Sequence, residues 1–296
     1  MEKVIVEVGS TVTKVDLYDE IDIKRIKDKT ILFKKHYQEK QALDKEDVYL
    51  LIDLIKEVKQ NYRDIYVCGT SIFRKLNDEE RKEFLDIFKR ETGCEFHIIV
   101  EEEENHLTVE GATRFVHDKV CVMIGGGGST EIAIYEDKII EEANTSIGVI
   151  DVVNAFPDLA EDIASTSLEE VMAYIKERLK LPKLKADTLI LAGGGHEKFA
   201  RESGITYESN KVYQDNQAPI MMDIDTRRKD TKQYFEEISL DKIRENSNDP
   251  AWWDATRAMC AFALVVAEAI EAKVIIPTDI SMTYGIVENI DKVNKL

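Results

Sequence analysis

The chain is poor in cysteine, and the cysteines it has form no recognisable pattern. Cys68, Cys94, Cys121 and Cys260 lie far apart, with no Cys-x-x-Cys pair and no cysteine–histidine cluster. This spacing argues against a zinc ribbon and against a disulfide framework. We expect reduced thiols, as in a cytoplasmic protein.

Long apolar runs are also missing. The longest, from Ala258 to Ala267, is about half the length of a membrane span. The N-terminal stretch MEKVIVEVGS indicates a strand rather than a signal peptide, since it has no long apolar core and no cleavage site. The sequence therefore predicts a soluble, cytoplasmic protein that does not enter a membrane.

Positive charge is scarce relative to negative charge. The chain has 40 Lys and Arg against 58 Asp and Glu, a formal net charge of -18. Nucleic-acid and anionic-membrane binders depend on a positive field, so both classes are disfavoured. A small anionic ligand is still permitted, because a few basic side chains and backbone N–H groups can hold a phosphate inside an acidic protein.

Proline is rare and no Ser/Gly tract occurs, so nothing in the 296 residues looks like a linker.

The domain organisation is indicated instead by an internal repeat. VIVEVGSTVTKVDLYDE (4–20) and VCVMIGGGGSTEIAIYED (120–137) share one plan, an apolar strand, a glycine bend and a second strand ending on tyrosine and an acid, about 115 residues apart. The repeat predicts two α/β halves, residues 1–118 and 119–296, whose bends face a shared cleft. For the final helix, from about residue 281, packing against the first half is an open alternative.

Periodicity and capping signals predict the remaining elements. Ser167 with Glu170 predicts a capped helix start. The other predicted elements are helices over 45–60, 78–92, 103–115 and 251–272, and strands over 65–67, 97–100, 138–143, 188–191 and 273–277.

Three glycine bends follow apolar strands: Gly9-Ser10-Thr11, Gly125–Thr130 and Gly193–Gly195. Glycine lets phosphate oxygens approach the backbone N–H groups closely, and the neighbouring hydroxyls add donors. A single bend of this kind is more often an ordinary turn. Three bends, two of them related by the repeat, favour phosphate binding.

Several motifs in the correct order resemble the Ppx/GppA phosphatases, that is, the exopolyphosphatases and guanosine pentaphosphate phosphatases of the actin-like ATPase superfamily. The matching segments are EVGSTVTKVDLYD, CGTSIFRKLND, FHIIVEEEENHLTVEGA, MIGGGGSTEIAIYED, NTSIGVIDV, LAGGGHEKFA and VIIPTDISMTYGIVE. The resemblance implies an α/β, two-lobed actin-like (ribonuclease H-like) fold with a central cleft between the domains.

The resemblance also implies an activity: hydrolysis of terminal phosphoanhydride bonds of inorganic polyphosphate or pppGpp by Mg²⁺-assisted attack of water. Partners would be polyphosphate or guanosine penta- or tetraphosphate, with a homodimer as a further possibility. The acidic balance favours the shorter substrate, since long polyphosphate chains suit an extended basic channel.

Residue by residue, the resemblance makes Glu104 the catalytic base that orients or deprotonates water. Glu7 and Glu131 become the carboxylates for Mg²⁺. Arg74, whose planar fork suits phosphate, joins the phosphate-binding set, which is Gly9, Ser10, Thr11, Ser71, Arg74, Gly126, Gly127, Gly128, Ser129, Thr130 and Gly194.

The chain departs from the family pattern at charged positions. Glu7 stands where the family has its first aspartate, and Ile124 stands where it has the aspartate before the glycine loop. His106 replaces an arginine of the family pattern, and Thr283-Tyr284 replaces an Arg-Glu pair near the end. Thr11 stands where the family has asparagine. Two alternatives therefore stay open. One is a degenerate, non-catalytic regulator that binds (p)ppGpp or another nucleotide. The other is a reactivase-type ATPase, because residues 9–14 resemble the Gly-Ser-Thr-x-Thr-Lys string that opens those proteins.

Three further features carry weaker predictions. His196 follows the third bend and either faces the cleft or starts a helix at the surface. Arg227-Arg228-Lys229, the densest basic triplet, predicts a solvated turn, and Trp252-Trp253 predicts core or interface packing.

Overall fold

The computed structural model describes residues 2–10, 12–19, 22–114, 116–193, 195–203, 207–209, 220–245, 247 and 250–293. Its contacts divide the chain into two compact units. The first unit is Met1–Leu107 with Ile286–Leu296, and the second is Thr108–Gly285. Within the described ranges, no helix has both the length and the apolar character needed to cross a membrane.

The first unit is built on a five-stranded sheet flanked by helices. Its strands are β1 (Lys3–Val8), β2 (Val12–Tyr18), β3 (Ile23–Thr30), β4 (Ile65–Gly69) and β5 (Phe96–Ile98). Its helices are α1 (Phe33–Lys40), α2 (Lys45–Lys59), a 3-10 turn (Ser71–Lys75), α3 (Asp78–Thr92) and α4 (Glu101–Thr113), which continues into the second unit. The strand order is β3-β2-β1-β4-β5; β1–β3 pair antiparallel, and β4 and β5 extend the sheet in parallel.

Local signals in the sequence explain these elements. In α3, the Asn77 side chain accepts from the N–H groups of Glu79 and Glu80, and Glu80 reaches back to complete a capping box. The helix ends at Gly93, whose φ of 70° suits glycine. The buried face of α3 then packs Phe84 and Phe88 against the aromatic core of the unit.

The second unit contains a seven-stranded sheet. Its strands are β6 (Val120–Gly125), β7 (Thr130–Tyr135), β8 (Ile139–Thr145), β9 (Thr188–Ala192), β10 (Glu208–Ser209), β11 (Ile220–Asp223) and β12 (Val274–Pro277). Its helices are α5 (Val149–Ala155), α6 (Leu168–Arg178), α7 (His196–Glu202), α8 (Ile224–Glu236), α9 (Leu240–Glu245), α10 (Thr256–Ile270) and α11 (Met282–Val293), with 3-10 turns at Pro157–Ala160 and Pro250–Ala255. The helix α11 ends in the first unit.

The two sheets share one plan. In the second, the order β8-β7-β6-β9-β12 repeats the order β3-β2-β1-β4-β5, with the same antiparallel and parallel pairings. This five-strand order is that of the ribonuclease H-like fold. The predicted α/β fold and the predicted duplication are therefore confirmed, and β11 and β10 are additions at one edge.

Two sequence predictions are wrong in detail. The helix predicted over 251–272 begins only at Thr256, because Pro250–Ala255 forms a 3-10 turn. Arg227 and its basic neighbours lie in α8 rather than in a solvated turn. Asp223 caps that helix by accepting from the N–H groups of Asp225 and Thr226. An aspartate at this position is a helix-start signal, and the prediction of a turn overlooked it.

Candidate functional site

In the first unit, Arg74 and Glu104 form an ion pair. Arg74 Nη1 donates to Glu104 Oε2 at 2.6 Å and to the Ile99 carbonyl oxygen at 3.2 Å. Both side chains are partly buried, at 25% and 33% exposure. The predicted phosphate-binding arginine and the predicted base are thus brought together, 30 residues apart in sequence.

The surroundings of Glu104 tune its ionisation. Burial raises the pKa of Glu104, the Arg74 ion pair lowers it, and the negative charges of Glu7 and Glu101 raise it again. Raising a carboxyl pKa increases its basicity near neutral pH, which suits a general base. Burial also raises the pKa of the Cys68 thiol, helped by Glu7, Glu104 and Glu103. Cys68 therefore stays a neutral thiol beside the acidic residues.

The first glycine bend lies at the β1–β2 turn. Gly9 N–H donates to the Val12 carbonyl oxygen at 3.1 Å, and Ser10 Oγ donates to Ser71 Oγ at 2.7 Å. Ser71 has a φ of 50°, an uncommon conformation for a residue with a side chain. The hydroxyls of two predicted phosphate-binding serines therefore meet. Thr11, predicted to join them, lies outside the described residues.

Glu7 forms an ion pair with Lys14. Glu7 and Lys14 face each other across the β1–β2 hairpin, and Lys14 Nζ lies 3.3 Å from Glu7 Oε1. The pairing follows from the hairpin register, which the alternation of β1 and β2 already fixes. Lys14 places a positive charge beside the carboxylate predicted to bind metal.

In the second unit, the glycine loop between β6 and β7 is held by backbone hydrogen bonds. Gly126 N–H donates to the Ser129 carbonyl oxygen at 2.9 Å. The carbonyl oxygens of Gly126 and Gly127 accept from the N–H groups of Val149 and Ile150 at 3.0 and 2.9 Å. The loop is thereby fixed to the start of α5, while Gly127 and Gly128 stay exposed.

Thr130 completes the loop from the inside. Its side chain is 1% exposed, and Oγ1 donates to the Ile147 carbonyl oxygen at 2.8 Å. This bond ties β7 to the segment before α5, so the hydroxyl proton of Thr130 is already used within the fold. Its predicted contact with phosphate stays a prediction.

Gly148 packs directly against the backbone of this loop. The sequence predicted no role for it. A Cβ at position 148 would lie 2.4 Å from the Gly126 carbonyl oxygen and 2.4 Å from the Gly127 carbonyl carbon. Both are backbone atoms, which cannot rotate away. Only the match of NTSIGVIDV to a family segment pointed to this position.

We expect Gly148→Ala to lower the free energy of unfolding by about 1–3 kcal/mol, the usual cost of overpacking. The matched control is Gly128→Ala, since nothing lies within 4 Å of a Cβ there, and its effect should stay within about 0.5 kcal/mol. Urea unfolding measures both. Equal stability of the two variants would contradict the close approach seen at Gly148.

The carboxylates predicted for magnesium lie in different units. Glu7 is paired with Lys14, and Glu131 is 7% exposed and sits opposite Ile124 in the β6–β7 register. Across the described part of the chain, no three metal-ligating side chains come together. The described residues therefore supply no magnesium cage of their own, and the metal-binding roles of Glu7 and Glu131 stay predictions.

The third glycine bend follows β9. Gly193 and Gly195 have φ values of 85° and 72°, the left-handed region that favours glycine. Gly193 N–H donates to the Ile280 carbonyl oxygen at 2.6 Å, and a Cβ at Gly195 would lie 3.2 Å from the Trp252 ring. Gly194, predicted to bind phosphate, lies outside the described residues.

His196 follows this bend and is buried, at 5% exposure, so it is not a surface histidine. Burial and the charge of Arg227 lower the pKa of His196 to about 4, and the Ala192 carbonyl acts weakly in the other direction. The imidazole is therefore neutral near pH 7. It lines a pocket of about 290 Å³ beside the glycine loop of the second unit.

A model of the Ppx/GppA phosphatase family matches residues 12–281. The chain belongs to this family. The match takes in the Arg74–Glu104 pair, the second and third glycine bends and every strand except β1, so the family resemblance noted in the sequence is confirmed. No curated protein sequence matches the chain.

Solved structures show the same fold. The type II variant of the Ppx/GppA phosphatase of Aquifex aeolicus is 17% identical, with a TM-score of 0.75 over 97% of this chain and 98% of that one. An exopolyphosphatase from Cytophaga hutchinsonii is 15% identical, with a TM-score of 0.72 over 99% and 98%. A nucleoside triphosphate hydrolase from Neospora caninum is 10% identical, with a TM-score of 0.59 over 100% and 93%.

Proposed function

We propose that this Ppx/GppA family member hydrolyses terminal phosphoanhydride bonds of a short polyphosphate or of a guanosine polyphosphate such as pppGpp. The observation that supports this most is the Arg74–Glu104 ion pair, at 2.6 Å. It joins a phosphate-binding fork to a carboxylate whose burial raises its pKa. These are the two groups that attack of water on a phosphate requires.

The proposed reaction begins when the terminal phosphate binds Arg74, aided by the hydroxyls of Ser10 and Ser71. Competition from phosphate oxygens for the guanidinium loosens its hold on Glu104. The released carboxylate accepts a proton from a water molecule, whose oxygen forms a bond to the terminal phosphorus. The anhydride P–O bond breaks, and its electron pair leaves with the shortened chain.

The glycine loop of the second unit, Gly126–Ser129, is proposed as a phosphate-binding element in its own right. Its exposed Gly127 and Gly128 carry no side chain, so phosphate oxygens can approach the backbone. Mg²⁺ is proposed as a partner of the substrate phosphates rather than of a cage of protein carboxylates. Magnesium usually keeps several waters and takes one or two carboxylates.

The second candidate is a regulator that binds a nucleotide without turning it over. The observation in its favour is Ile124, an apolar side chain at the position where the family pattern has an aspartate, packed among apolar neighbours in the sheet. On this alternative, the chain binds the same ligands but releases no phosphate.

Phosphate release separates the candidates. The purified chain is assayed with pppGpp, tripolyphosphate, long-chain polyphosphate and ATP, each with Mg²⁺ and with EDTA. We expect release from pppGpp or tripolyphosphate, with long-chain polyphosphate slower. Binding without release on every substrate would favour the regulator. Release from ATP alone would favour the reactivase-type ATPase.

A further inference from the structure

The start of α1 lies against the first glycine bend. Lys34 N–H donates to the Ser10 carbonyl oxygen at 2.9 Å, so a backbone hydrogen bond joins the helix to the bend. The ring of Phe33, a residue at 1% exposure, packs edge-on against Phe73 with the centroids 5.1 Å apart. Phe73 belongs to the 3-10 turn that carries Arg74. The first turn of α1 is therefore held beside the residues proposed to bind the terminal phosphate.

Two lysines of this turn carry unpaired charges. The side chains of Lys34 and Lys35 are exposed, and neither forms an ion pair within the described ranges. A cation in the first turn lies at the positive end of the helix dipole, which is unfavourable, so α1 itself gains nothing from them. Three other basic side chains of the same stretch each have an acidic partner: Arg25 with Asp16, Lys27 with Glu57 and Lys40 with Asp44.

The two basic side chains already placed in the candidate site each lie beside a carboxylate. Arg74 donates to Glu104, and Lys14 Nζ lies 3.3 Å from Glu7. In the proposed reaction Arg74 passes to the terminal phosphate, while the phosphates that follow it carry further negative charge. The oxygen of the broken anhydride bond gains still more charge as the bond opens. A further cationic group beside the bend would stabilise both.

The acidic residues lie on the other face of the sheet from α1. Glu7 is in register with Cys68 on β4. Burial, and after it the charges of Glu7, Glu104 and Glu103, raise the pKa of the Cys68 thiol, so these carboxylates lie on its side of the sheet. The neighbours of Glu7 along β1 point the opposite way, into the core that contains Phe33. A polyanion bound at the bend is therefore repelled on the side of Glu7 and attracted on the side of α1.

We propose that Lys34 and Lys35 bind the phosphates that follow the terminal one, so that the substrate chain leaves the bend over the start of α1. Lysine suits this role because its ammonium group is a compact charge on a flexible stem, and a linear chain of phosphates offers oxygens in many directions. This inference rests on the proposed function and deepens it. The site then selects linear phosphoanhydrides over inorganic phosphate and phosphate monoesters.

Two probes separate the terminal position from those that follow it. Inorganic phosphate fills only the terminal position, and inorganic tripolyphosphate extends past it. Tripolyphosphate affinity is measured by isothermal titration calorimetry, and the weaker affinity for phosphate by the rise in Tm that phosphate causes. EDTA is present throughout, and phosphate release is followed in parallel, so that affinity and turnover are separate readouts.

We expect the wild-type chain to bind tripolyphosphate at least about tenfold more tightly than phosphate. The double variant Lys34→Gln/Lys35→Gln should bind tripolyphosphate about tenfold more weakly than the wild type, the size expected for two exposed charges that face a polyanion. Its affinity for phosphate should not change. Arg74→Gln marks the terminal position, so it should lower the affinity for both probes.

The matched control is Lys176→Gln/Lys180→Gln. It removes the same charge from two exposed lysines of the second unit that form no ion pair with any described residue. This control should bind both probes as the wild type does.

Ionic strength gives a readout that a structural role does not move. Because Lys34 and Lys35 are exposed, salt screens their attraction for phosphate. The difference in tripolyphosphate affinity between the wild type and the double variant should therefore shrink as the NaCl concentration rises. A difference that is independent of salt would contradict a direct contact between these charges and the ligand.

Thermal unfolding checks that each variant is folded, and the single variants Lys34→Gln and Lys35→Gln decide the result if the double variant is not. Equal wild-type affinity for the two probes, unchanged tripolyphosphate affinity in the double variant, or an equal loss for both probes would overturn the proposal. An equal loss in the control would show that net charge alone sets the affinity, which also overturns it. Lysine-dependent binding without phosphate release from any substrate would refute the proposed function alone.

Discussion

Arg74→Gln is expected to lower kcat/KM for phosphate release about 10²- to 10³-fold, the usual loss when one donor to a reacting oxyanion is removed. Arg74 donates to Glu104 in the structure, and in the proposed reaction it passes to the terminal phosphate. Glutamine keeps a polar head but has neither the charge nor the planar fork. Lys75→Gln is the control, since Lys75 is exposed on the same 3-10 turn, and its kinetics should match those of the wild type.

The residual activity of Arg74→Gln should also change its pH dependence. Burial raises the pKa of Glu104, and Arg74 opposes that rise. Without Arg74, burial acts unopposed, so the pKa of Glu104 moves further up and the base ionises only at higher pH. The acid limb of kcat/KM against pH, which reports the free enzyme, should therefore shift to higher pH. A shift to lower pH would mean that the ion pair does not govern the base.

Glu104→Gln is expected to lower kcat about 10²- to 10⁴-fold, the range typical of a lost general base. Glutamine has nearly the same shape, and its amide oxygen can still accept from Arg74 Nη1. Substrate affinity should consequently change little, and the acid limb assigned to Glu104 should disappear from the residual activity.

The neighbouring acids provide the control for Glu104→Gln. Glu102 is exposed on the same first turn of α4, so Glu102→Gln removes one negative charge without touching Arg74. Stopped-flow or steady-state phosphate release measures both variants. Turnover unchanged in Glu104→Gln, or lowered equally in both, would rule out Glu104 as the base.

Much of the fold followed from local signals in the sequence. Alternation and the glycine bend predicted the β1–β2 hairpin, and the repeat predicted its counterpart β6–β7. The bounds predicted for α3 from periodicity agree with the structure because Asn77 and Gly93 are strong end signals. These features depend on residues that lie close together in the chain.

The features that the sequence concealed depend on distant contacts. Arg227 belongs to a charged triplet, yet the packing of α8 against α10 and β12 buries it. Gly148 is one of 14 glycines, and only the Gly126 and Gly127 backbone beside it shows why a side chain is excluded. Arg74 and Glu104 were each predicted as site residues. Their 2.6 Å contact could not be predicted, because it depends on how the chain runs from β5 into α4.

The most direct test of the central claim compares binding and turnover of one substrate in two proteins. Wild-type chain and Glu104→Gln are titrated with pppGpp, and phosphate release is then followed at saturation. We predict similar affinity in both proteins and release only by the wild type, with loss of at least about a hundredfold in the variant. Tight binding without release by the wild type would contradict the account and identify the chain as a non-catalytic binding protein.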